Sequence, residues 1–224
     1  MSGREAILGK VRSALKATPG DAARLAAVAE RMARAAPGII PSRGQLPAKE
    51  RVDLFCTQAV KLFASVERLA SADAVPAAVA GYLRQKNLPQ SVRMGDDPRL
   101  SALPWSQEGA LEVRHGPSDG NDEVGVSHAF GGVAETGTVV MVSGADNPTT
   151  INFLPEHHIV VIDATSIQGD LETAISGIRA RFGKGEMPRT VNLISGPSRS
   201  GDIEQKLILG AHGPRALHLI VVGA

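Results

Sequence analysis

Apolar residues recur along this chain in two rhythms, and the rhythms predict its elements. Near the start the spacing is three and four: Ile7, Leu8, Val11 and Leu15, then, past Thr18-Pro19-Gly20-Asp21, Leu25, Val28, Ala29 and Met32. Each stripe predicts a short amphipathic helix. Pro37-Gly38 and Pro41 end the second helix and open a linker. Two such helices cannot enclose a core of their own, so they predict an arm that docks on the body or on another subunit. Helical spacing returns over 48–64 (Val52, Phe55, Cys56, Ala59, Val60, Phe63), over 75–86 (Val75, Val79, Tyr82, Leu83) and at Leu171, Ile175, Ile178 and Phe182.

Short apolar runs between these stripes predict buried strands at 66–69, 91–94, 110–113, 124–127, 138–143, 158–163, 191–194 and 216–222. Residues 95–109 are rich in turn formers, 116–121 carry no period, and 147–155 read as a loop. Strands alternating with helices predict an α/β fold, a mainly parallel sheet flanked by helices. The organisation expected is a helical arm over 1–45 and an α/β domain over 46–224.

The last thirty residues predict a βαβ unit: strand Val191–Ile194, loop Ser195–Gly201, helix Asp202 to about Ala211, strand Ala216–Val222. In open α/β sheets, ligands collect beyond the carboxyl ends of strands. A helix beginning after Ser195, Gly196, Ser198 and Arg199 would offer free amides to an anion, and Arg199 would add a forked cation. The plainer reading of this loop is turn chemistry, with Asp202 and Gln205 at capping-box spacing and Gly213-Pro214 as a helix stop. A second segment, Gly131 to Thr138, sets Glu135 in a glycine-flanked turn just before a strand. Glutamate is uncommon in turns unless its side chain is used. Glu135 is therefore the candidate catalytic carboxylate, as general base or nucleophile. Thr136, Gly137, Thr138 and His128 join it as candidate binding residues.

Composition removes several classes of function. The net charge is +1 and aromatics make up 3%, which argues against nucleic acid as a partner. No apolar run approaches the roughly 20 residues that span a bilayer, and Met1 to Glu5 lacks the apolar core of a signal peptide, so a cytoplasmic protein without membrane insertion is expected. Cys56 stands alone, which excludes an internal disulfide and a cysteine-ligated iron–sulfur cluster in this chain. No GxGxxG fingerprint is present. His157 and His158 are adjacent and point to opposite faces of a strand, His212 stands at an expected helix end, and His218 lies inside a strand. No metal and no cofactor is expected.

Four motifs then follow in order: Ala134-Glu135-Thr136-Gly137-Thr138; Leu154-Pro155 with His158-Ile159; Ser195-Gly196-Pro197-Ser198-Arg199 with Asp202-Ile203-Glu204; and His212-Gly213-Pro214 with Leu217-His218. Together with Arg4-Glu5-Ala6-Ile7-Leu8 they resemble the LUD-domain family. The likeness is dense from about Val124 onward and thin from Ile40 to Gly120. It implies a sheet of the NagB/RpiA/CoA-transferase-like type. It also implies a part in the oxidation of L-lactate to pyruvate, beside partner proteins that carry the iron–sulfur clusters. Two functions follow as expectations. One is a non-redox subunit of a lactate-oxidising system with a small carboxylate or phosphate as ligand, the arm serving as a homo-oligomer contact. The other is an independent CoA-transferase-like or sugar-phosphate enzyme that uses Glu135.

Overall fold

The computed structural model describes residues 2–16, 18, 20–34, 36–183, 185–203 and 206–224, with residues 201–203 and 206–207 described by their backbone only. The chain divides into two units, Met1–Ile39 and Ile40–Ala224. The first holds helices α1 (Gly3–Ala14) and α2 (Ala22–Arg34), neither of which buries a residue. A capping box starts α1: the Ser2 hydroxyl accepts from the Glu5 amide, and the Glu5 carboxylate accepts from the Ser2 amide. The apolar faces expected there are present and exposed, with Ile7, Val11 and Leu15 on α1 and Leu25, Val28 and Met32 on α2.

The second unit runs α3 (Ala48–Lys61), β1 (Ser65–Leu69), α4 (Val75–Gln85), β2 (Ser91–Met94), α5 (Pro98–Ser101), β3 (Glu112–His115), β4 (Val124–His128), β5 (Gly131–Val133) and β6 (Thr138–Val142). It continues through α6 (Thr149–Phe153), β7 (His157–Asp163), β8 (Ile167–Gln168), α7 (Leu171–Phe182), β9 (Val191–Ile194), β10 (Arg199–Ile203), β11 (Lys206–Leu209) and β12 (Ala216–Val222). Residues 40–45 pack within this unit: Gln45 Nε2 donates to Asp170 Oδ2 at 2.8 Å, and a Cβ on Gly44 would collide with the Gly169 carbonyl.

Six strands form a wholly parallel sheet in the order β1-β12-β7-β4-β2-β3. On one face α3 sets Val52, Phe55 and Ala59 against Val160, Ile162, Leu219 and Val221. On the other, α4 sets Val75, Val79 and Leu83 against Val126, Ile159, Val161 and Ile220. Alternation along each strand divides the core in this way, because successive side chains leave a strand on opposite faces. Phe55 is fully buried, and sealing such a ring contributes about 1.5–3 kcal/mol. A second sheet, β8-β5-β6-β9, adds Val139, Met141 and Ile167 to the α3 core and turns Val133 and Val140 toward Ala174 and Ile178 of α7. The α/β class and the mainly parallel sheet expected from the sequence are therefore present.

Several local expectations are corrected. Among the described residues of 202–211 there is no helix. The chain there forms an antiparallel hairpin, β10 against β11, and the Asp202–Gln205 capping pair lies outside the described residues, as does Glu204 of the third motif. The run Lys206-Leu207-Ile208-Leu209 is too short for period alone to separate strand from helix. No βαβ unit closes the chain either: β9 joins β6 in the second sheet, while β12 enters the first sheet between β1 and β7. The α3 stripe stops early. The helix ends at Lys61, Phe63 turns into the left-handed region at φ 70°, and Val60 and Phe63 are exposed. The loop expected at 147–155 contains α6, and β5 and β8 had no strong apolar run to announce them.

Candidate functional site

Two glycine turns meet on the last turn of α3. Gly137, between β5 and β6, has φ +65°, and Gly196, after β9, has φ +79°. A Cβ on Gly137 would strike the backbone of Gln58 and Ala59, and one on Gly196 would strike the Leu62 carbonyl. Only glycine combines that backbone conformation with that approach. Because β6 and β9 pair antiparallel, with Val139 opposite Ile194, the two turns face each other. Their hydroxyls form a row: Thr136 Oγ1 lies 2.7 Å from Thr138 Oγ1, which lies 2.7 Å from Ser195 Oγ.

Beside this row opens a cavity of about 300 Å³. Its walls come from Asn152 and Phe153 of α6, His158 of β7, Leu193 to Arg199, His212 to Pro214, and Leu217 of β12. Ser198 ties two of these segments together. Its amide donates to the Pro214 carbonyl (2.8 Å), its carbonyl accepts from the Gly210 amide (3.0 Å), and its Oγ accepts from the His212 amide (3.2 Å). Arg199 is exposed and lays its guanidinium over the Phe63 ring, 5.2 Å from the centroid. The cation is thus held at the mouth of the cavity by a stacking contact, of the kind worth about 0.5–1 kcal/mol at exposed sites.

At the inner wall, Ser127 Oγ donates to Asn152 Oδ1 (3.2 Å) and lies 3.1 Å from His158 Nε2. Asn152 and His158 are each 1% exposed. Burial pushes the His158 pKa down to about 3, so the ring is neutral at physiological pH. Asn152 Nδ2 and His158 Nδ1 have no partner. Such unmade bonds typically cost about 1–3 kcal/mol each.

The candidate residues divide in this geometry. Thr136, Gly137, Thr138, Ser195, Gly196, Ser198 and Arg199 belong to the two turns and the cavity mouth. Glu135 sits beside them without lining the cavity: it is 7% exposed in its side chain, and its Oε2 is 3.3 Å from Arg43 Nε. His128 stands apart, on the opposite face of the parallel sheet at the carboxyl end of β4. There its Nε2 is 3.6 Å from Asp163 Oδ2 and its Nδ1 3.0 Å from the Ala129 carbonyl. Burial and the nearby Arg99 charge lower the His128 pKa.

The ligand crevice was expected beyond the carboxyl ends of the strands. The cavity lies at the carboxyl end of β9, where the loop from Ser195 begins, and at the amino ends of β7 and β12 of the first sheet, beside His158 and Leu217. The strand β10 after Ser198 offers none of the helix amino-terminal amides expected there.

Sequence reasoning missed Ser127, Asn152, His158 and His212. The opposite-face argument for His157 and His158 holds, since His157 Nδ1 meets Tyr82 Oη at 2.9 Å while His158 faces Ser127. That argument excludes joint chelation and says nothing against a role for His158 alone. The available signal was the position of His158 within an ordered motif. Among the described residues, no group of three or more His, Cys, Asp or Glu side chains could hold a metal ion, and no helix is long and apolar enough to cross a membrane.

Residues 120–222 match the LUD domain. Lactate utilization protein C of Shouchella clausii is 36% identical over 100 residues, covering 45% of this chain and 44% of that relative, so the chain spans less than half of it there. Lactate utilization protein C of Geobacillus thermodenitrificans is 34% identical over 164 residues, covering 64% of this chain and 68% of the relative. The uncharacterized protein YkgG of Escherichia coli is 31% identical over 190 residues, covering 79% and 82%. Among solved structures, a DUF162 family protein from Deinococcus radiodurans shares the fold, with a TM-score of 0.60 at 22% identity over 80% of this chain and 99% of that one.

Proposed function

The chain belongs to the LUD-domain family, and on that premise we propose that it binds a small carboxylate in the cavity under Ser195–Arg199. In this reading it is the cytoplasmic, non-redox subunit of a system that oxidises L-lactate to pyruvate, and iron–sulfur proteins are its partners. One observation carries the binding role: three segments far apart in the chain, 152–158, 193–199 and 212–217, converge on one cavity with a cation at its mouth. The names of two relatives, lactate utilization protein C, support the wider role. The division of labour rests on Cys56, which is the chain's single cysteine and is buried with its thiol pKa raised by desolvation. Cluster ligands must then come from elsewhere.

The chemistry is that of recognition. Arg199 supplies the charge, the Ser195 and Ser198 hydroxyls and the His212 ring supply polar contacts at the mouth, and Phe153, Leu193 and Leu217 suit a short alkyl group. Glu135 is then a positioning carboxylate that holds Arg43 and fixes the turn carrying Thr136 and Thr138.

Titration calorimetry with L-lactate tests the reading. Charge-assisted hydrogen bonds contribute about 1.5–3 kcal/mol, so Arg199→Ala should weaken binding by roughly 10- to 150-fold. Its melting temperature should stay within about 4 °C of wild type, since only an exposed stacking contact is lost. A wild-type protein that takes up no small carboxylate, or an Arg199→Ala variant that binds normally, would overturn the assignment.

The arm has a separate task in this proposal, which is joining copies of the chain. Its exposed Ile7, Val11, Leu15, Leu25, Val28 and Met32 are the motive. Deleting residues 1–39 should leave the body folded, since its core clusters begin at Val52, and should lower the mass measured by light scattering. An unchanged number of subunits would remove this role.

A further inference from the structure

We propose that Asn152 and His158, joined through Ser127, form a hydroxyl-reading pair at the inner wall of the cavity, so that the site takes a small hydroxy acid in preference to the keto acid of the same skeleton. The inference rests on the cavity reading above and deepens it.

It begins with the polarity of a three-member chain. Ser127 Oγ donates to Asn152 Oδ1 and so accepts from His158 Nε2–H. That leaves His158 Nδ1 as a bare acceptor and Asn152 Nδ2 as a free donor, the two atoms without partners. Turning the Asn152 amide over reverses both ends together. Ser127 then accepts from Asn152 and donates to His158, and the free ends become an N–H on His158 and the Asn152 oxygen. A neutral imidazole always has one donor and one acceptor nitrogen, so either arrangement presents one of each. The ring is neutral because it is buried, with its pKa near 3.

An alcohol satisfies such a pair, since its oxygen accepts while its proton is donated. A ketone or a carboxylate oxygen only accepts, and would leave an acceptor facing an acceptor. Discrimination of this kind is strong where a site is built to bond a hydroxyl, because the wrong ligand leaves buried groups unpaired. Both side chains line the cavity, and their free ends each expose less than 1 Å². Contact with a ligand therefore requires Asn152, in the five-residue helix α6 next to the partly exposed Phe153, to turn its amide toward the cavity. The carboxylate of the same ligand would lie toward Arg199 at the mouth. Leu193 and Leu217 add apolar surface to the same cavity.

The test uses the full chain near pH 7.5 and two probes, L-lactate and pyruvate. Calorimetry should show lactate binding at least 10-fold tighter than pyruvate. Ser127→Ala breaks the chain in the middle, so the preference should fall to within about 3-fold. A second measurement needs no variant: in histidine-labelled wild type, nitrogen NMR should show a neutral His158 ring whose Nδ1 resonance moves with lactate and stays still with pyruvate. Equal binding of both acids with a motionless His158 signal overturns the hydroxyl-reading pair and leaves the carboxylate site standing. Failure of both acids to bind overturns the two together.

Discussion

Gly196→Ala is expected to destabilise the folded chain by about 3 kcal/mol or more, and to abolish ligand binding in the protein that remains folded. Two costs add. A left-handed backbone costs an L-residue about 1–2 kcal/mol, and Gly196 has φ +79°. The new methyl would also strike the Leu62 carbonyl, which is backbone and cannot step aside as a flexible side chain would. The loop must therefore lift off α3, and Ser195, Ser198 and Arg199 lift with it. For a chain of this size the melting temperature should fall by roughly 6–12 °C. Gly223→Ala is the control. Its φ is +76° and nothing lies within 4 Å of the added atom, so it should cost only the dihedral strain. If the two variants melt alike, α3 does not hold the loop as described.

Acid should unfold this protein early, and His158 is the main reason. In the unfolded chain a histidine binds its proton near pH 6.5, whereas in the fold His158 is held down to about 3 by burial. Between those values the unfolded state carries a proton that the folded state refuses. Stability is thus fully present above pH 6.5 and is lost as pH falls toward 3. At 1.36 kcal/mol per unit the loss approaches roughly 5 kcal/mol. His218, buried against Tyr82 with its pKa lowered to about 4, adds to the same trend below pH 6.5. Domains of this kind have about 5–15 kcal/mol to lose. Urea midpoints measured from pH 7.5 to 4.5 should therefore fall steadily, and His158→Gln should flatten the slope by nearly one proton. A midpoint that does not move between pH 7 and 5 would mean that His158 is solvated.

Much of the fold was legible because its signal is local. The runs at 91–94, 191–194 and 216–222 form strands with those bounds, the stripe of α4 faces the core as spaced, and that of α7 does so at Ile175, Ile178 and Phe182 while Leu171 is exposed. The failures came where the deciding information is distant. Nothing within Val191–Ile194 says that its neighbour is β6, and nothing within Lys206–Leu209 says that its partner is Arg199–Ile203. The site was half legible for the same reason. Gly137 and Gly196 are needed only because α3 lies beneath them, yet their turn chemistry marked them. Asn152 and Ser127 carry no signal until α6 and the neighbouring strands β4 and β7 set them beside His158, whose only signal was its place in a motif. Glu135 drew notice as an odd turn residue, and its oddness is met by Arg43.

The position of β12 also decides how the protein must be made. Among the described residues β1 pairs only with β12, through Ser65–His218 to Leu69–Val222, and β12 is the last of the first sheet's strands in sequence order. While the ribosome is still short of residue 216, β1 has no partner and β7 keeps one side open. The open side of β7, with Ile159 to Ile162, is an apolar strand edge of the kind that attracts other chains. The first sheet cannot close by stages from its beginning; it waits until residues 216–222 have been made and then closes around β12. Nascent chains that stall short of residue 216 would carry the first sheet with the seam between β1 and β7 open. Those species, more than any folded variant, are the ones a cell's chaperones and proteases would meet.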